Sequence, residues 1–172
     1  MLQAGQVIPA CLNEEFHNII LTSGDINDGL FQAIENKSKE KIFVRYLQFQ
    51  NEPAFERSCG FLTNFSMNTV PNIAEICDFR VFRSTKEFYY TFPHYVTLES
   101  ASKMKMTRTQ IIEFACDIIT KLKRIHELSH PPASFNPNYL LRVDGEWVFD
   151  PICLNEDEAD PIMQMGHLLE TV

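Results

Sequence analysis

The chain is expected to fold as an α+β protein, and three features of its 172 residues carry that expectation. Between Phe16 and Leu47, apolar runs alternate with glycine- and lysine-containing turns, the pattern of an antiparallel meander. Further on, Ile111, Ala115, Ile118, Leu122 and Ile125 recur at spacings of three and four, with Ile112 and Ile119 beside them. That is the apolar stripe of a helix lying on a core. Two short apolar runs then flank Asp144-Gly145. This dipeptide accepts positive φ and suits a two-residue turn between strands.

The elements follow in order. Residues 1–15 form a lead-in with a short helix. Residues 16–21 read as a strand, 22–29 as a turn and 30–34 as the returning strand. The charged segment 37–41 turns the chain into a third strand over 42–47. A helix is predicted over 54–65, with Pro53 near its start, where a missing N–H costs nothing. Ile73, Ile76, Phe79 and Val81 mark a fourth strand, and residues 86–92 a fifth. Residues 100–106 are a short polar connection. Thr107 or Thr109, followed by Glu113, opens the long helix, and His130-Pro131-Pro132 closes it. Lys121, Lys123 and Arg124 are read as its wet face.

Composition excludes several classes. Hydrophobic residues make up 45% and charged residues 22%, the balance of a globular core. A net charge of -8 and a pI near 5.1 argue against nucleic-acid or anionic-membrane partners. No run reaches the length of a membrane span, and the first residues carry no basic, apolar leader. Cys11, Cys59, Cys77, Cys116 and Cys153 are five, with no C-x-x-C pair. Reduced, mostly buried thiols in a cytoplasmic protein are expected.

The order of parts resembles the protein kinase family. In that family a Leu-His pair precedes the catalytic loop, and Ile125-His126 stands in its place here. The family's H-R-D-x-x-x-x-N and D-F-G motifs then fall, without a gap, on Pro132-Ala133-Ser134, Tyr139 and Asp150-Pro151-Ile152. Val70-Pro71-Asn72-Ile73 is similar to the H-P-N-I entry to the fourth strand. Gly24 and Gly29 match the first and third glycines of the phosphate loop G-x-G-x-x-G, with Ile26 in place of the second. Arg45 takes the position of the lysine in V-A-I-K, and Ser58 that of its glutamate partner, with Glu56 as a substitute one turn direction off. Phe92 falls near the gatekeeper, and Pro93-His94-Tyr95 on the hinge between lobes.

The resemblance implies a kinase-like α+β fold: a five-stranded antiparallel N-lobe sheet with one helix over residues 16–95, and a truncated helical C-lobe over 96–172. Residues 156–160 are an acidic, solvated loop, and 162–169 the start of a further helix. It also implies lost catalysis. Ser134 is a neutral hydroxyl where phosphoryl transfer needs a carboxylate, and Tyr139 lacks the hard amide oxygen that Mg²⁺ takes. Asp150 alone survives as a metal ligand, to be used if Mg-nucleotide binds. Gly24, Gly29, Arg45, Phe92, His94 and Asp150 make up a degenerate nucleotide site, and ATP and Mg²⁺ are not expected as resident cofactors.

Three readings follow. The first is a non-catalytic pseudokinase-like interaction or scaffold module in signalling, meeting a protein partner or a second copy through exposed C-lobe helix surface. The alternative is a nucleotide-binding regulator or weak phosphotransferase that retains Asp150. The third is a gene product with no independent role. Nucleotide binding separates the first two, and a cooperative unfolding transition separates both from the third.

Overall fold

In the computed structural model the described residues are 8–65, 71–93, 98–100, 105–127, 139–143 and 145–152. The chain divides into two units, residues 1–66 with 75–96 and residues 67–74 with 97–172.

The first unit opens with helix α1 (Ala10–Glu15), followed by strands β1 (Phe16–Gly24), β2 (Asp28–Glu35) and β3 (Lys41–Gln48). Helix α2 (Glu52–Phe65) leads to β4 (Asp78–Phe82) and β5 (Glu87–Thr91). The five strands form one antiparallel sheet in the order β1-β2-β3-β5-β4. Six consecutive residues of β3, from Ile42 to Leu47, are buried. A continuous buried run of this kind marks a strand covered on both faces. Ile42, Val44 and Tyr46 join Leu12 of α1, Phe16, Phe31 and Tyr89 in one apolar cluster. The other face carries an aromatic cluster. Phe88 meets Phe79 edge to face at 5.4 Å, lies 5.3 Å from Phe49, and sits 6.5 Å from Phe55 of α2. Asn51 caps α2 by accepting the N–H of Ala54 at 2.9 Å.

The second unit holds β6 (Leu98–Ser100), helix α3 (Arg108–Glu127), β7 (Leu140–Val143) and β8 (Glu146–Phe149). Its three strands form an antiparallel sheet in the order β6-β7-β8. Strand β6 was not anticipated; three residues are too short a run for alternation to be read. Ile73 departs from its expected place. It makes a parallel bridge with Phe149, with Ala74 N–H donating to Phe149 O at 2.8 Å and Phe149 N–H to Asn72 O at 2.9 Å. Ile73 therefore belongs to the second unit's sheet, and β4 begins only at Asp78.

Thr107 is the N-cap of α3. Gln110 N–H donates to its hydroxyl at 3.4 Å, and Thr107 N–H donates to Gln110 Oε1 at 2.9 Å. This reciprocal pair is a capping box. Phe114 and Ile118 are the buried apolar positions on the described face of α3, while Ile112 and Ile119 are 57% and 55% exposed. The predicted stripe was too wide on that side. The expected helix end at His130-Pro131-Pro132 and the expected helix over 162–169 lie outside the described residues. Among the described residues no helix is long and apolar enough to cross a membrane.

Candidate functional site

Gly24 and Gly29 face each other at the β1–β2 turn. Gly24 has φ 78°, and a Cβ there would lie 2.1 Å from the Asp28 carbonyl oxygen, so only glycine fits. Between them the Asp25 carboxylate accepts the N–H groups of Asn27 at 2.7 Å and Asp28 at 3.1 Å. A loop that cradles phosphate presents such N–H groups to its ligand. Here a side chain of the same loop takes them.

Arg45 is 0% exposed. It stands opposite Leu30 on one neighbouring strand and Tyr90 on the other. Period-two alternation puts it on the face of the sheet that carries Phe88 and α2. Its guanidinium lies 3.7 Å from the Asp28 carboxylate, whose side chain is one-third exposed. Of the helix residues named as partners, Ser58 is buried, and Glu56 is turned elsewhere, pairing with Arg83 at the β4–β5 turn. Phe92, just past β5, is buried edge to face against Tyr90 at 5.6 Å, and its N–H donates to Phe43 O at 3.0 Å. It is a core ring of the first unit. His94 lies outside the described residues.

Asp150 belongs to the second unit, directly after β8, and is 0% exposed. Its N–H donates to Tyr139 O at 2.7 Å, and its Oδ1 accepts the N–H of Ile152 at 3.4 Å. Tyr139 is buried. Ser134 lies outside the described residues, as does the side chain of His126. Gly24, Gly29, Arg45 and Phe92 are thus held within the first unit's sheet, and Asp150 within the second unit.

Lys121 overturns its expected place on the wet face. It is 8% exposed, and its ammonium donates to Asp117 at 2.8 Å, to the Trp147 carbonyl at 2.7 Å and to Glu146 at 3.4 Å. The signal was legible: Phe114, Ile118 and Lys121 share one face at spacings of four and three. Beside this cation, α3 and the β7–β8 hairpin enclose a groove of about 400 Å³. Phe114 and Trp147 meet there edge to face at 4.7 Å. Among the described residues no group of three or more His, Cys, Asp or Glu is placed to hold a metal ion.

The described cysteines are all free. Cys11 and Cys59 are buried, while Cys77 and Cys116 are exposed, so burial holds for half of them. Burial, helped by nearby Glu87, pushes the Cys11 thiol up to about 12. Burial, with Glu56 adding to it, pushes Cys59 to about 11. Both stay protonated near neutrality and are poor nucleophiles.

No family model matches the chain, and no curated protein does either. The solved structures do match. The Neurospora crassa PAN3 pseudokinase, in a mutant form, aligns over 98% of this chain with a TM-score of 0.58. The chain has a protein kinase-like fold. Sequence identity to PAN3 is 10%, and the chain spans 51% of its length. In kinase terms β1–β5 form the N-lobe-like sheet, with α2 as its helix.

Proposed function

We propose that the chain is a non-catalytic, pseudokinase-like interaction module in cytoplasmic signalling. The observation that carries this reading is the internal use of the phosphate-gripping groups. Arg45, at the position of the strand lysine, is buried against Asp28, and the N–H groups of the β1–β2 turn are spent on Asp25. Anionic phosphate entering that turn meets two carboxylates first. That PAN3 is a pseudokinase agrees with this reading. The replacement of the catalytic carboxylate by Ser134 and of the metal-binding amide by Tyr139 belongs to the same proposal. Exposed free thiols at Cys77 and Cys116 fit a reducing compartment. Ile112 and Ile119 offer apolar surface for a protein partner or a second copy.

Thermal unfolding with ATP or ADP, with and without Mg²⁺, tests the proposal. A ligand that binds only the folded state at a hundred times its Kd adds about 2.7 kcal/mol. A cooperative transition with no shift is expected. A Mg²⁺-dependent shift that disappears in Asp150→Ala would establish the nucleotide-binding regulator instead.

A further inference from the structure

We propose that the groove between α3 and the β7–β8 hairpin docks a basic protein segment. One arginine or lysine of that segment lies along Trp147, with its charged head at Glu113 and Asp117. The inference names a partner class for the interaction module proposed above and rests on that reading.

The groove has the volume of a side-chain pocket, about 400 Å³, and lies wholly within the second unit. Its walls combine an aromatic floor with acidic edges. Phe114 is buried beneath, and the half-buried Trp147 stands edge to face on it. Glu113, Asp117 and Glu146 line the same space from two different elements. Lys121 already engages Asp117 and Glu146. Glu113, one turn earlier on α3, is exposed and forms no ion pair or hydrogen bond among the described residues, so its charge is available at the groove. A basic side chain suits both features. Its methylene stem covers apolar ring surface, and its cation gains from the ring face and the carboxylate together. Arg142 is the countervailing charge. Its Nε–H donates to Gly145 O at 3.1 Å, which holds it to its own hairpin. It limits the groove to one basic residue and leaves guanidinium donors for a carbonyl of the incoming segment. The chain's net charge of -8 steers such a segment toward it.

Trp147 is the chain's single tryptophan, so intrinsic fluorescence reports on this groove. The probe is a nonapeptide of glycine and serine with arginine at every third position, titrated against the full chain. The control peptide carries glutamate in place of arginine. A saturable change in Trp147 emission is expected with the arginine peptide only. Glu113→Lys weakens the affinity about tenfold, whereas Glu14→Lys, an equal charge change in the first unit, leaves it within about twofold. No saturable change, equal weakening by both reversals, or equal binding of the glutamate peptide each overturns the proposal. The nucleotide experiment stands apart: a Mg-nucleotide shift would remove the module reading and leave this groove intact, and a silent Trp147 would do the reverse.

Discussion

Arg45 in the first unit and Lys121 in the second are both buried cations, but they are held in different ways. Arg45 rises from the middle strand of a sheet covered on both faces, and its ion pair with Asp28 is a loose 3.7 Å. Lys121 sits on a helix and spends its ammonium on three acceptors of α3 and the adjoining hairpin, two of them within 2.8 Å. A planar guanidinium suits a flat buried slot, while a compact ammonium can fan out to several oxygens. The first cation is locked into a core, and the second fastens two elements together. Regions of this kind lose stability for different reasons, and substitutions can separate them.

The largest effect is expected in the first unit's aromatic face. Phe88→Ala opens a cavity among Phe49, Phe55, Phe79 and Tyr90. It costs about 4 kcal/mol, measurable by denaturant unfolding. A loss below about 1 kcal/mol would mean that α2 does not rest on this face.

The Arg45 pair comes next. Asp28→Ala leaves the buried guanidinium short of its carboxylate and costs about 2 kcal/mol. Arg45→Met keeps much of the volume and leaves Asp28 one-third exposed, able to hydrate. It should cost less than half as much. The reverse order would show that Asp28 is incidental to holding Arg45.

Lys121→Met tests the second cation. Its partners Asp117 and Glu146 are partly or largely exposed and can return to water. The loss is therefore about 1 to 2 kcal/mol, mostly from the Trp147 carbonyl bond. Emission from Trp147 should shift in the same variant, because the hairpin loses its tie to α3. An unchanged spectrum would break the fastening role.

The smallest effect belongs to the helix start. Thr107→Ala removes one half of the capping box and costs about 1 kcal/mol. Gln110→Ala removes the bonds that Oε1 accepts from the Thr107 N–H at 2.9 Å and hydroxyl at 3.0 Å, but should cost less, since the Thr107 hydroxyl still accepts the residue 110 N–H.

Much of the fold was readable from local pattern. The β1–β3 meander, α2, β5, the long helix and the Asp144-Gly145 hairpin all declare themselves through period-two or period-3.6 spacing and turn chemistry. Gly145, at φ 92°, keeps the expected turn conformation. The errors cluster where a residue's partner is distant in sequence. The sequence pattern places Ile73 in β4, but it pairs with Phe149, which lies far along the chain. The kinase-like register offers Glu56 to Arg45, but it turns to Arg83. Lysine on a helix usually faces solvent, yet Lys121 shares the buried face with Phe114 and Ile118.

The sequence by itself determined most of the order and kind of elements, the expectation of a kinase-like frame, and which residues are expected at its chemical positions. These depend on periodicity, turn residues and spacing, all written along the chain. Only the tertiary structure decided that Arg45 meets Asp28, that Asp25 consumes the turn's N–H groups, and that α3 and its hairpin leave an aromatic groove with the exposed Glu113 carboxylate at its edge. Each of these turns on which side chain reaches which partner, and that is settled by packing across elements rather than by neighbours in sequence.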